Sequence, residues 1–204
     1  MGVIYMKILN FGSLNIDYVY SVDHFVQKGE TISSSQINIF SGGKGLNQST
    51  ALGRAGAQVF HAGRIGKGGE FLVEQLKEAG VNTDLIVLDS QCSTGHAIIQ
   101  NDAEGDNCIL LYGGANQRIT KEQIDATLDQ FDAGDYLVLQ NETSNLPYLM
   151  EKAAEKQMKI VLNPSPMDEK IKALPLDKVT LFFVNEIEAA QILGQKELES
   201  TQET

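Results

Sequence analysis

Tryptophan is absent from this chain, and cysteine, histidine and proline are scarce: two, three and four residues among 204. Cys92 and Cys108 form neither a CxxC pair nor a metal-ligand spacing, so a disulfide scaffold or thiolate metal site lacks its material. They read as reduced thiols behaving as small hydrophobes. His24, His61 and His96 are scattered without HxxxH spacing and read as surface or core residues, not ligands. Positive charge is also short, with 16 Lys and Arg against 27 Asp and Glu, a net charge of −11. Without a Lys/Arg cluster, neither nucleic acid nor an anionic membrane is an expected partner. A phosphate ligand stays open, because a few backbone N–H groups can bind one locally. No apolar run approaches the ~18 residues of a membrane span, and Met1–Lys7 lacks a signal peptide's charged start and apolar core. A cytoplasmic location is the expectation.

Hydrophobic residues reach 42 % and aromatics 7 %, with 19 glycines, an ordinary balance for an α/β protein. The length suits one substantial domain, taken as residues 1–204. Val3–Phe11 is a short apolar run ending at Gly12, as a buried first strand does. Asp17–Val22 and Ser34–Phe40 alternate apolar and polar residues, the pattern of strands with one wet face. Lys44–Ala55 reads as a helix closed by Gly56. Gln58–Ala62 reads as a strand, Gly69–Ala79 as an amphipathic helix and Leu85–Leu88 as a short strand. Gly95–Gln100 and Asn107–Tyr112 are β-type runs joined by a polar turn with Gly105, a hairpin signal. Helix and strand then alternate: Lys121–Gln130, Asp135–Leu139, Asn145–Gln157, Lys159–Leu162, Leu181–Val184, Glu186–Leu193. This order predicts an α/β fold with a mainly parallel sheet covered by helices. The wet-faced strands, about 17–22, 34–40, 95–100 and 107–112, predict a small separate β-sheet serving as a lid.

Ser41-Gly42-Gly43-Lys44-Gly45-Leu46-Asn47-Gln48 is the most informative stretch. Adjacent glycines remove side chains that would hold a ligand off the backbone, just where a helix start is expected to offer free N–H groups. Such a terminus attracts oxygen-rich or anionic ligands. Asn47 lies one helical turn beyond Gly43, and its amide suits a pair of neighbouring sugar hydroxyls. Asn15 and Asp17 follow the first strand at i, i+2, on one side of an extended chain, and suit a polyhydroxyl ligand. On these two alone a capped turn is the plainer reading. Gly63-Arg64-Ile65-Gly66-Lys67-Gly68-Gly69 is glycine-rich but has no Ser or Thr after Lys67, and reads as a strand-to-helix turn, not a P-loop.

Gly12-Ser13-Leu14-Asn15-Ile16-Asp17 followed by Gly42-Gly43-Lys44-Gly45-Leu46-Asn47-Gln48 resembles the amino-terminal part of the ribokinase-like (pfkB) family of sugar kinases. Further matches come in order: Ser93-Thr94-Gly95, Gly114-Ala115-Asn116, Gln140-Asn141-Glu142, Asn163-Pro164 and Asn185-Glu186-Ile187-Glu188. The resemblance implies that Asn15, Asp17, Gly42, Gly43, Lys44, Asn47 and Glu142 line a site for a small sugar, ribose by the GGKGxNQ form. It implies ATP and magnesium as cofactors, with Asn185 near the nucleotide phosphates and Glu188 near the metal, through water. A monovalent cation and a homo-oligomer paired through its lids are also implied. Residues alone allow a capped helix start at Asn185. Asp132-Ala133-Gly134-Asp135 is superficially similar to the family's catalytic GAGD but precedes a strand and reads as a turn. The resemblance therefore implies that the catalytic base aspartate, and the carboxyl-terminal part of the fold, lie beyond residue 204. A catalytically silent sugar-binding module, or an inactive fragment, is the alternative expectation.

Overall fold

The computed structural model describes residues 6–195; Val3–Tyr5 of the expected first strand and the polar stretch 196–204 lie outside them. The chain forms β1 (Ile8–Phe11), β2 (Asn15–Ser21), β3 (Gln36–Gly42), α1 (Lys44–Arg54), β4 (Val59–Lys67), α2 (Glu70–Glu78) and β5 (Asn82–Ser93). There follow β6 (Gly95–Asn101), β7 (Asn107–Tyr112), α3 (Lys121–Leu128), β8 (Tyr136–Gln140), α4 (Leu146–Glu155), β9 (Lys159–Asn163), β10 (Val179–Phe182) and α5 (Glu186–Ile192). Three short 3-10 helices, Gly114–Arg118, Glu169–Ala173 and Leu176–Lys178, have no counterpart in the periodicity.

Two sheets result, ordered β10-β9-β8-β1-β4-β5 and β3-β2-β6-β7. Every pairing in the six-stranded sheet is parallel. Its strands are short apolar runs because both faces are available for burial. Leu9, Phe11, Leu137, Leu139, Ile160 and Leu162 point to one face and pack with Ile124, Leu128, Leu149 and Met150 of α3 and α4. Ile8, Val59 and Ile65 point to the other, against Leu46, Leu72 and Leu76 of α1 and α2. On that second face α1 reaches as far as β8, through Gln48, Ala51 and Leu52, and no further helix covers the β9-β10 side among the described residues. Val138, Val161, Leu181 and Phe183 line an apolar cleft of about 350 Å³ there, with Phe183 60 % exposed.

The second sheet is the expected lid: β2 pairs antiparallel with β3 and parallel with β6, and β7 closes the hairpin. The expected strand-to-helix turn at Gly63–Gly69 is narrowed to Gly68-Gly69, between the end of β4 and the start of α2. Gly63, Arg64, Ile65, Gly66 and Lys67 continue β4, and β5 runs on to Ser93. Glycine is needed for close approach there: a methyl group at Gly66 would lie 2.2 Å from the Cys92 carbonyl oxygen.

Buried polar groups among the described residues include Asn10 and His61 within strands and Ser49, Thr50 and Thr127 on helices. His61 is fully buried, its Nδ1 2.8 Å from Ser49 Oγ. Burial pushes the imidazole down to about 4, while the Gly12 carbonyl pulls weakly the other way. The folded value lies below the unfolded one, so neutral His61 contributes its full stability above pH 6.5. That contribution is lost as pH falls toward 4, on the order of 3 kcal/mol in all. Urea titrations from pH 7 to 4 should show this fall in the native chain and a flatter profile in His61→Gln. A loss of equal size in the variant removes His61 as its source.

Candidate functional site

β1 is followed in space by β4 on one side and β8 on the other, so the chain order reverses across it. In open parallel sheets such a switch point leaves a crevice at the carboxyl ends of the two strands, where ligands bind. Ser13 follows β1 into this crevice, Glu142 follows β8, and α1 starts between them.

Glu142 Oε2 accepts the Lys44 N–H at 2.9 Å and the Ser13 hydroxyl. Ser13 Oγ in turn accepts the Gly45 N–H at 3.1 Å, and the Ser13 carbonyl takes the Leu46 N–H at 2.9 Å. The first turn of α1 is thus capped from two other segments. This corrects the expectation of free N–H groups: they are satisfied within the protein, so the helix start does not offer an anion site of its own. What Gly42 and Gly43 supply is room and conformation. A methyl group at Gly42 would lie 2.1 Å from Asp17 Oδ2, and Gly43 has φ +94, which a side chain would strain.

Asn15 pairs with Gly42 on β3 and Gly95 on β6, and Asp17 lies two residues on, on the same face of the lid. Ala97 stands beside Asp17, and Leu111 beside Ala97, so the same face carries apolar groups next to the carboxylate. Half-buried Asp17 has its carboxyl raised above the usual range, first by desolvation and then by the nearby negative charge of Glu142. Two carboxylates and an amide converging beside apolar groups fit a neutral polyhydroxyl ligand: the carboxylates accept its O–H groups and the apolar groups contact its C–H faces.

The structure therefore brings together Asn15, Asp17, Gly42, Gly43, Glu142 and the backbone of Lys44. The Lys44 ammonium bonds to no described residue. Asn47 is exposed one turn into α1, with its backbone N–H on the Gly43 carbonyl and no side-chain partner among the described residues.

Asn185 and Glu188 stand further along the same carboxyl edge, after β10. They form a capping box: Asn185 Oδ1 accepts the Glu188 N–H at 2.8 Å and Glu188 Oε2 accepts the Asn185 N–H at 3.0 Å. Glu188 Oε1 takes the Ser165 hydroxyl, and the Ser165 carbonyl accepts the Asn141 N–H at 3.1 Å. A row of contacts thus joins the loops after β8, β9 and β10, ending at Glu142. Among the described residues no three His, Cys, Asp or Glu side chains cluster closely enough to hold a metal ion. Asp135 sits at the opposite, amino edge of the sheet, accepting the Lys7 and Asp132 N–H groups, as a turn residue does.

Residues whose role the sequence did not disclose are Ser13, Asn10, Gln140 and Asn116. Gln140 Nε2 donates to Asn10 Oδ1 at 2.9 Å and Gln48 Oε1 at 2.7 Å, and Asn10 Nδ2 donates to the Gly45 carbonyl at 2.9 Å. These buried amides tie β1 and β8 to α1. Gln48, Gln140, Ser13 and Asn116 fall inside the segments that match the family, whereas Asn10 had no sequence signal of its own.

Fold and site define a lidded α/β protein whose switch-point crevice is lined by carboxylates, an amide and apolar groups. The profile of the "pfkB family carbohydrate kinase" matches residues 6–204, and the chain belongs to this family. It is 35 % identical over 199 residues to the ribokinase of Staphylococcus aureus (strain COL), covering 93 % of this chain and 64 % of that protein. The ribokinase of Cryptococcus neoformans in complex with ADP superposes with a TM-score of 0.80 at 35 % identity, over 95 % of this chain and 62 % of that one. Arabidopsis thaliana ribokinase complexed with ribose and ATP shares the fold, with a TM-score of 0.82 at 24 % identity. The chain spans less than two thirds of the length of these relatives.

Two outcomes follow for Asp17. Its folded pKa lies above the unfolded value, so the stability linked to it is present below about pH 4 and lost as pH rises through the folded pKa. Asp17→Asn should therefore raise the ligand-free Tm at pH 7 and change it little near pH 3.5; a lower Tm at pH 7 contradicts the raised pKa. Glu142→Gln should lower the Asp17 pKa toward 3.8, read by NMR titration of the side-chain carboxyl, because the like charge is removed. It should also lower stability by about 1 kcal/mol through weaker capping of α1, read as a lower Tm.

Proposed function

We propose that the crevice binds a pentose, D-ribose by preference, and that this chain serves a ribokinase-type reaction, ATP and D-ribose giving ADP and D-ribose 5-phosphate. The observation that carries the reading is the seat of Asp17 over Gly42, beside Glu142 and Asn15, at the carboxyl-edge switch point. Similarity to the Staphylococcus aureus ribokinase supports it.

Transfer to a sugar hydroxyl needs an oriented nucleophile, charge neutralisation around the phosphoryl group and in-line geometry. Asp17 and Glu142 orient the sugar by accepting hydrogen bonds from its hydroxyls, and the apolar face at Ala97 and Leu111 excludes water from it. The hydroxyl's base and the anion hole for the moving phosphoryl group belong, in this reading, to residues outside this sequence.

Magnesium, which shields phosphate charge in such reactions, fits one role here. Glu188 keeps unused lone pairs on a carboxylate already held by Asn185 and Ser165, and a hydrated hard cation is readily held through its waters. Glu188 and Asn185 would hold a metal–nucleotide phosphate in that way.

The reading includes a homo-oligomer. The lid face opposite Asp17 carries Ile37, Ile39, Ile98, Leu110 and Tyr112, all exposed, with Leu110 at 68 %, a contiguous apolar surface that a second lid would cover. A second reading, a sugar-binding module without turnover, is favoured by the satisfied N–H groups of α1, which leave that helix start no role toward a phosphate.

Thermal unfolding of the 204-residue chain with ribose, fructose or adenosine tests the substrate class. Ribose at about 100 times its Kd should raise Tm by roughly 5–10 °C. Asp17→Asn should weaken ribose binding about tenfold or more. A shift with fructose or adenosine but not ribose overturns the ribose assignment. Sugar phosphate formed by the purified chain with ATP excludes the silent module.

A further inference from the structure

The Leu14 backbone N–H can only donate, and it donates to Asn116 Oδ1 at 3.0 Å. That single fact fixes the rest of a buried chain of hydrogen bonds. With its oxygen so placed, Asn116 turns Nδ2 toward the Leu14 carbonyl at 3.2 Å and Asn15 Oδ1 at 2.8 Å. Asn15 cannot be turned over, because two amide NH₂ groups would then face each other in a site where both residues are at least 96 % buried (relative exposures 4 % and 1 %). Asn15 Nδ2 is left without a protein partner among the described residues, and it is not among the enclosed atoms that lack one. It is the free donor at this end of the lid face that carries Asp17.

The contact is built by three distant segments. Asn15 begins β2, Asn116 lies in the 3-10 helix Gly114–Arg118, and Gly95 begins β6 between them. A methyl group at Gly95 would lie 2.3 Å from Asn116 Nδ2 and 2.4 Å from Asn15 Oδ1. Only glycine leaves room for the two amides to meet.

We infer that Asn116 is a positioning residue that locks the Asn15 amide with its donor outward, so that this corner of the site recognises a ligand oxygen as an acceptor. The inference rests on the sugar-site reading above and adds a direction to it. Asp17 and Glu142 present only acceptors when ionised. A hydroxyl reaching both Asn15 and Asp17 accepts from the first and donates to the second, which orders its proton. If Asn116 instead offered an acceptor, Asn15 would turn Oδ1 outward, and the corner would hold three acceptors with no donor.

Calorimetric ribose affinity and ligand-free Tm, measured on the 204-residue chain and three variants, test this. Asn116→Asp keeps the shape and reverses the polarity, and should weaken ribose binding about tenfold or more. Asn116→Ser removes the lock without reversing it and should cost less than Asn116→Asp, although it disturbs packing more. A purely structural Asn116 predicts the opposite order. Asn15→Asp keeps the bond from Asn116 and exchanges the outward donor for an acceptor; it should match Asn116→Asp, and it decides the question if Asn116→Asp does not fold. Folded Asn116→Asp, or Asn15→Asp, binding ribose within about twofold of the native chain overturns the inference while leaving the sugar site intact. No ribose binding by the native chain overturns the sugar-site reading, and this inference with it.

Discussion

One carboxylate holds the site together. Glu142 arrives from the end of β8 and bonds both the first N–H of α1 and the hydroxyl that follows β1. Three segments of the crevice are therefore fixed relative to one another by a charged acceptor at a helix start, where it is favoured by the helix dipole as well as by the hydrogen bonds. The amides of Asn10, Gln140 and Gln48 repeat the connection one layer deeper. Asp17 experiences the cost of this arrangement: its carboxyl is raised first by desolvation and then by the charge that caps α1.

Much of the fold was legible because parallel strands buried on two faces read as short apolar runs, and the lid strands read as alternating ones. The strands and helices fall in the expected order, and the lid hairpin agrees to within a residue. The exception, Gly63–Lys67, is instructive. Glycine marks a turn when it supplies unusual dihedrals, and marks a strand interior when a neighbouring backbone comes too near for a side chain. Composition alone does not separate these cases; the carbonyl of Cys92 does.

The site was legible where its residues are local. Asn15 and Asp17 share a face by strand alternation, and Gly42 and Gly43 announce close approach. The capping of α1 was not legible, because its acceptors come from Ser13 and Glu142, at sequence separations of 32 and 98 residues. Asn185 and Glu188 show the converse. Their spacing supports a capping box, and that is what the backbone makes of them, whatever further part their carboxylate takes.

The place of β1 bears on how the molecule is made. Its register joins Ile8 to Val59 on one side and to Tyr136 on the other. During synthesis the lid, drawn from residues 15 to 112, can pair fully while one edge of this central strand still has no neighbour. Asp17, Gly42 and Asn15 are then already in place when Glu142 leaves the ribosome. Among the residues that meet at the switch point Glu142 is made last, and until then the open edge of β1 is the surface a chaperone or a stray strand would find.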